Sequence, residues 1–224
     1  MTSFASDLAC FLRERRARLR REAIAAQFAD FTMTPVHLFA DNLRLAESVK
    51  TVPGWVVECG VWRGGMSAGI ASVLGPDRTY YLYDSFEGLP EPKVELDGKK
   101  AVEYQADKDS EWYLNNCAAE PEYAERAMRL AGARDFKLIK GWFQDTVPVN
   151  LPDEPIALLR LDGDWYDSTI VCLEHLFQKV VPGGLIIMDD YFAWDGCLRA
   201  LHDYLSRTQA TERIQNVQKI CYMI

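Results

Sequence analysis

The chain has 224 residues, 25 Lys and Arg against 33 Asp and Glu, a formal net charge of −8 and a pI near 5.0. That balance speaks against nucleic acid as the main partner, because phosphate binding wants a basic face. Apolar residues make up 49% and charged residues 26%, as in ordinary globular proteins, and no apolar run approaches the ~20 residues that cross a bilayer. The N-terminus has no apolar signal core, and Asp7, Glu14 and Glu22 do not suit a transit peptide. Cys10, Cys59, Cys117, Cys172, Cys197 and Cys221 form no Cys-x-x-Cys pair. Reduced thiols in a soluble cytoplasmic protein are therefore expected.

Residues 1–30 read as a helix with Phe4, Leu8, Phe11, Leu12, Leu19, Ile24 and Phe28 along one stripe. Six arginines between Arg13 and Arg21 form a basic arm or, more plainly, a solvated or subunit-facing surface. The apolar stripe would suit a contact between copies of the chain in a homo-oligomer. Thr34-Pro35 opens a second helix, with Val36, Phe39, Leu43 and Ala46 at helical spacing until Val52-Pro53-Gly54 breaks it. Residues 1–52 are thus expected to form a helical cap, ahead of a main domain over 53–224.

From Trp55 the texture changes. Trp55 to Gly60 reads as a buried strand, Val61 to Ser67 as a turn and Ser67 to Leu74 as a helix. Thr79 to Tyr83 is the next strand, ending at Asp84-Ser85; such β-α-β units imply a parallel sheet with right-handed crossovers. Residues 86–118 are expected to be irregular, a lid or an insert. A helix from Pro121 to Leu130 precedes a strand over Phe136–Ile139 and the sequence Gly141-Trp142-Phe143-Gln144-Asp145-Thr146. Ile156–Leu161 is a fourth strand, followed by a helix over Ser168–Val180. Pro182-Gly183-Gly184 turns into a fifth strand, Leu185–Met188. A helix over Cys197–Arg207 leads to β-like runs at 212–217 and 219–224. The pattern is an α/β protein with one doubly wound sheet and an N-terminal helical extension.

The fourth and fifth strands each end in paired aspartates, Asp162 with Asp164 and Asp189 with Asp190. Burying unpartnered carboxylates is costly, so a cation is expected between them. A divalent metal and an acid–base site fit that place. At the first strand the glycines spell Gly60-x-x-x-Gly64-Gly65, neither the dinucleotide fingerprint nor the Walker loop. Glu58 ends this strand at the crevice where open α/β sheets bind ligands. Asp84 stands where an acid can accept hydrogen bonds from a ribose diol. An adenosine carrying a cationic sulfonium suits both acids, whereas a pyrophosphate would be repelled. The plain alternative is that both acids cap helices.

Several segments recur together in a known order. They are Val57-Glu58-Cys59-Gly60-Val61-Trp62-Arg63-Gly64-Gly65, Asp84-Ser85-Phe86-Glu87-Gly88-Leu89-Pro90 and Gly141-Trp142-Phe143-x-Asp145-Thr146. Arg160-Leu161-Asp162-Gly163-Asp164-x-Tyr166-x-Ser168-Thr169 and Pro182-Gly183-Gly184-x5-Asp190-Tyr191 follow. Over roughly residues 32–210 the chain resembles the macrocin O-methyltransferase family, which methylates deoxysugar hydroxyls of macrolide and aminocoumarin antibiotics. The resemblance implies a Rossmann-like class I methyltransferase sheet, S-adenosylmethionine as methyl donor and a magnesium ion. It puts Glu58, Gly60, Val61 and Ser67 around the methionine part of the cofactor, with Asp162 beside them. Asp84 and Ser85 fall at the ribose, Gly141, Trp142 and Phe143 near the adenine. Thr32-Met33 matches a segment that closes over the cofactor in the family. The arginine-rich head lies outside the resemblance, and Asp167 stands where the family carries Glu.

Magnesium prefers oxygen ligands, and Asp162, Asp189 and Asp190 supply three carboxylates from two strand ends. Two neighbouring sugar hydroxyls would complete its shell. Metal coordination lowers a hydroxyl pKa, and Asp164 is the expected base that removes the proton. Asp167, with Ser168 and Thr169, is expected to cap the following helix. Asp189-Asp190 has a cap ahead of Tyr191 as its alternative. His37, His175 and His202 share no motif and are expected to be structural. Trp165, Tyr191 and Trp194 flank the acids, to stack on a sugar or to pack. The expected activity is methylation of a glycoside or saccharide hydroxyl. A metal-dependent methyltransferase acting on catechol-like phenols and a non-catalytic adenosine-binding protein are the rivals.

Overall fold

The structure is a computed structural model that describes residues 2–111 and 113–224; the side chains of residues 2–5, Phe4 among them, stand outside the description. Seven strands, β1 (Trp55–Cys59), β2 (Thr79–Asp84), β3 (Asp135–Lys140), β4 (Ile156–Leu161), β5 (Val180–Met188), β6 (Gln215–Val217) and β7 (Ile220–Met223), form one sheet in the order β3-β2-β1-β4-β5-β7-β6. The first five run parallel, and β7 is antiparallel to β5. All six residues of β4 are buried, as the continuous apolar texture of a central parallel strand requires. Because the chain leaves β1 first towards β2 and later returns to its other side at β4, the switch point lies between β1 and β4.

The helices are α1 (Thr2–Gln27), α2 (Val36–Glu47), α3 (Gly65–Leu74), α4 (Val94–Ala106), α5 (Pro121–Leu130), α6 (Phe143–Thr146), α7 (Tyr166–Leu176) and α8 (Asp195–Thr208). One face of the sheet packs on α2, α3 and α5 through Phe39, Leu43, Ile70 and Met128; the other packs on α7 and α8 through Leu173, Leu176, Leu201 and Tyr204. The doubly wound sheet is thus present, with helices on both faces. Among the described residues no helix is long and apolar enough to cross a membrane.

The N-terminal helices divide in their packing. Ala25 of α1 and Phe28 just after it join the core with α2, whereas Leu8, Phe11, Leu12 and Leu19 further up the stripe are exposed. A Cβ on Gly69 would lie 2.5 Å from the Phe39 ring, so α2 rests on the bare backbone of α3.

Three sequence expectations need correction. Residues 86–118 hold a helix, α4, where irregular chain was expected. Gly98 interrupts it with φ 80° and ψ 170°, which breaks the 3.6-residue period, and its partners are polar: Arg199 donates to the carbonyls of Glu95 and Leu96, and Lys100 to that of Ala193. Strand β5 begins at Val180 rather than Leu185, because Pro182-Gly183-Gly184 sits in an irregularity between the pairs Ile156↔Val180 and Leu158↔Leu185. Asp167 does not cap α7 but pairs with Lys93. The cap comes from another helix: Asp97 of α4 accepts the Tyr166 N–H at 2.7 Å and, on its other oxygen, the Lys93 N–H at 2.7 Å. One buried carboxylate thereby serves the first turns of α4 and α7.

Candidate active site

The carboxyl ends of β1, β2, β4 and β5 open into one cavity of about 670 Å³. Residues 31–35 and α2 wall it on one side; Gly88–Pro90, Tyr104, Leu114 and Cys117 wall it on the other. Of the residues expected at a cofactor, Glu58, Gly60, Val61, Asp84, Ser85, Trp142, Phe143 and Asp162 line the cavity, and the Thr32-Met33 segment does too. Ser67 and Gly141 do not line it and act through neighbours. The Ser67 hydroxyl donates to Glu58, and the Gly141 N–H donates to the Asp84 carbonyl at 2.9 Å in the turn that presents Trp142.

At the β1 and β2 ends every carboxylate has donors. Glu58 accepts from Ser67 and, at 2.6 Å, from Arg160; burial still pushes its pKa up to about 7, against the pull of Arg160. Asp84 accepts the N–H groups of Val61 and Trp62 at 2.7 Å each and of Phe86 at 2.6 Å. Burial raises its pKa and those three bonds oppose the rise. Gly60 is obligatory between the two strand ends: its φ is +91°, and a Cβ there would lie 1.7 Å from the Asp162 carbonyl oxygen.

The β4 and β5 ends are different. Arg160 is 1% exposed, with Nη1 at 2.6 Å from Glu58 and 2.8 Å from Asp162, and Nη2 at 2.5 Å from Asp189. Part of the cation expected between the strands is therefore the chain's own guanidinium. Sequence reasoning quoted Arg160 without giving it a role; an arginine inside an apolar strand was the available signal, since a buried charge demands partners.

Asp189, expected as a metal ligand, gives one oxygen to Arg160 and remains at the cavity wall. The ligand oxygens that gather within 4.8 Å of one another belong to Asp162, Asp164 and Asp190. Asp164, expected as the base, thus stands among them. Its φ of 55° is a strained, left-handed conformation for a residue with a side chain. It is held by its N–H, which donates to Asp190 at 3.0 Å, and the nearby Trp194 indole opposes the rise of its pKa.

Burial and then the charge of Asp162 push Asp164 up to about 8. Asp190 is raised well above the usual carboxylate range by burial and then by Asp164. Asp162 rises to about 6 through burial, with Arg160 opposing. Among the described residues no basic side chain pairs with Asp164 or Asp190. An all-oxygen cluster in which only Asp162 meets a cation, Arg160, while Asp164 and Asp190 meet none fits a hard divalent ion such as magnesium.

The flanking aromatics separate by role. Trp165 is 1% exposed and donates to the Pro90 carbonyl at 2.8 Å, so it packs and holds the Gly88–Pro90 wall. The Tyr191 hydroxyl meets His202 Nε2 at 2.9 Å, which gives that histidine a structural partner. Trp194 and Tyr104, with ring centroids 5.3 Å apart, both line the cavity beside the acids. Asn42, Trp62 and Arg160 line the cavity, and each has a buried polar atom, Oδ1, Nε1 and Nε respectively, with no hydrogen-bond partner in the protein.

A match to the Macrocin-O-methyltransferase (TylF) family covers residues 12–224. The 8-demethyl-8-(2,3-dimethoxy-alpha-L-rhamnosyl)-tetracenomycin-C 4'-O-methyltransferase of Streptomyces olivaceus is 36% identical over 188 residues, 79% of this chain and 69% of that protein. The demethyldecarbamoylnovobiocin O-methyltransferase of Streptomyces niveus is 34% identical over 178 residues, 76% of this chain and 65% of that protein. The mycinamicin III 3''-O-methyltransferase of Micromonospora griseorubida is 33% identical over 178 residues, 75% and 66%. The chain thus spans about two thirds of the length of these relatives. Among solved structures, the O-methyltransferase NovP superposes with a TM-score of 0.72 at 30% identity, covering 86% of this chain and 81% of that one. The calicheamicin methyltransferase CalS11 shares the fold, with a TM-score of 0.66 at 21% identity over 94% and 92%.

Proposed function

Since the chain belongs to the macrocin O-methyltransferase family, we propose that it uses S-adenosylmethionine and magnesium to methylate a sugar hydroxyl of a glycosylated natural product. The observation that carries this reading is the acid cluster of Asp162, Asp164 and Asp190, of which only Asp162 is paired with an arginine, in the same cavity as Glu58 and Asp84. Glu58, Gly60 and Val61 would hold the methionine part of the cofactor, Asp84 and Ser85 the ribose, and Trp142 and Phe143 the adenine. When bound, S-adenosylmethionine supplies the methyl group and magnesium lowers the pKa of the acceptor hydroxyl.

The chain's own part is to hold, orient and take a proton. Asp162 and Asp190 would hold the ion, with the second oxygen of Asp189 as a further ligand. An Asp164 carboxylate oxygen takes the acceptor's proton, at the cavity wall that Asp164 shares with Trp194. Trp165 and the lid above it exclude water, which strengthens every charge interaction in the site.

The acceptor's charge follows from the wall. Glu58, Asp84, Glu111, Asp162, Asp164, Asp189 and Asp190 line it against Arg160 and Lys219. An anionic sugar phosphate would meet like charge, whereas a neutral or amino-bearing glycoside would not. The relatives' names support a glycoside acceptor, a rhamnosyl-tetracenomycin in one case.

The test is methyl transfer from S-adenosylmethionine to a panel of deoxysugar glycosides and catechols, with and without a chelator. Turnover on a glycoside that the chelator abolishes is the expected result. Turnover on catechols alone would replace the acceptor, and cofactor binding without chelator-sensitive turnover on any acceptor would favour a binding protein.

A further inference from the structure

Resting on the magnesium reading above, we propose that Asp97 is a positioning residue for the ion site. From α4, outside the cavity, it holds the loop that carries Asp164 and fixes it against the helix that follows Asp190. Asp97 is 3% exposed and does not line the cavity. Its oxygens accept backbone N–H groups, Oδ2 from Lys93 and Oδ1 from Tyr166, at 2.7 Å each. The Lys93 ammonium pairs with Asp167 instead, and among the described residues no basic side chain pairs with Asp97. Burying a carboxylate without a cation is costly, and the positive ends of helices offset it here.

Three helices start around this carboxylate. It accepts the N-cap N–H of α4 and the first N–H of α7. The start of α8 comes so close that a Cβ on Gly196 would lie 2.1 Å from Asp97 Oδ1 and 2.7 Å from the Tyr166 nitrogen. Both α7 and α8 follow directly on acid loops: α7 on Asp162-Gly163-Asp164-Trp165, and α8 on the segment from Asp190 to Trp194. A cap alone is usually local, from a Ser, Thr, Asp or Asn at the N-cap. Here the N-cap of α7 is Trp165, and the acceptor comes from 69 residues away. A bond of that reach sets where the loop lies.

The loop needs such a hold. Asp164, at φ 55°, is in a left-handed conformation that persists only where the surroundings impose it. Before it, the Asp162 N–H donates to the Cys59 carbonyl at 2.8 Å. Its own N–H donates to Asp190 Oδ2 at 3.0 Å. After it, the Trp165 N–H turns back to the Gly163 carbonyl at 2.6 Å, and the Tyr166 N–H is fixed by Asp97. Asp190 is a candidate ion ligand, so an arriving ion draws on the oxygens that hold Asp164. Asp97 stands outside the cavity, and its hold on the loop is independent of the ion. It acts on the ion through the placement of Asp164 beside Asp190, set before the ion arrives. A small cation that demands near-octahedral geometry gains affinity from ligands placed in advance.

The experiment is calorimetric titration of magnesium chloride into the full chain, Asp97→Asn and Gly196→Ala, each saturated with S-adenosylhomocysteine. S-adenosylhomocysteine itself is titrated in parallel. Asparagine has one acceptor oxygen and leaves one of the two N–H groups unmet. Alanine keeps the charge but drives a Cβ against Asp97 Oδ1 and the Tyr166 nitrogen. Both variants are expected to weaken magnesium by about tenfold or more and to leave S-adenosylhomocysteine within about twofold. Equal weakening of both ligands would assign Asp97 to the fold, and weakening in Asp97→Asn alone would assign the effect to lost charge; either overturns the proposal. If one variant does not fold, the other reads the same difference. Absence of magnesium binding by the parental chain overturns the ion reading and this one with it; parental binding untouched by either substitution overturns this one alone.

Discussion

The acids at the ends of β1 and β2 and those at the ends of β4 and β5 share one cavity but differ in what neutralises them. Glu58 is met by Ser67 and Arg160, and Asp84 by three backbone N–H groups. Asp164 and Asp190 have only each other, Asp162 and the Trp194 indole nearby, and burial with mutual repulsion drives their pKa values up. A carboxylate supplied with donors from the chain is pre-set to shape a loop or orient a ligand. A cluster left short of positive charge waits for an ion, and one member stays free to take a proton.

The largest effect should come from breaking the unneutralised half at its base. Asp164→Asn is expected to lower kcat by roughly 10²- to 10⁴-fold. S-adenosylhomocysteine affinity, read by calorimetry, should stay within about twofold. Parental turnover in that variant would mean that the proton goes elsewhere.

Removing the cation that joins the halves comes next. Arg160→Met leaves Glu58 buried, and Asp162 and Asp189 half-buried, without their guanidinium. Urea unfolding should show a loss of about 3–5 kcal/mol. A loss below about 1 kcal/mol would indicate that protons already neutralise those acids.

A third test uses pH on the magnesium-free protein. Glu58 at about 7, Asp162 at about 6 and Asp164 at about 8 all titrate above their ordinary range. The folded state therefore binds more protons than the unfolded one between about pH 4 and 8, and stability falls as pH rises through that window. Melting should occur at least roughly 5 °C lower at the alkaline end of the window than at the acid end. Saturating magnesium should narrow the gap, and a flat or rising profile without the ion would contradict the account.

The smallest effect belongs to an acid outside both halves. Asp167 pairs with Lys93 on the surface. Asp167→Asn should move the melting temperature by no more than about 1–2 °C and leave turnover within about twofold. A large drop in turnover would give the Lys93–Asp167 pair a share in the chemistry.

The strand order and the acidic strand ends were legible because each central strand carries its own apolar run and each run stops at a carboxylate. What was not legible depends on contacts between distant positions. Arg160 reaches Glu58 across 102 residues, and Asp97 reaches Tyr166 across 69. No local spacing encodes such pairs. Helix α4 was hidden because Gly98 interrupts its period and polar bonds anchor it.

The central claim is that Asp162, Asp164 and Asp190 form a divalent-ion site that Arg160 neutralises only in part. Calorimetric titration of magnesium chloride into the parental chain and into Asp190→Asn, both saturated with S-adenosylhomocysteine, tests it most directly. The account predicts one magnesium bound per parental chain and that binding lost or weakened at least about tenfold in the variant. Absence of magnesium binding by the parental chain, or unchanged binding by Asp190→Asn, would contradict it.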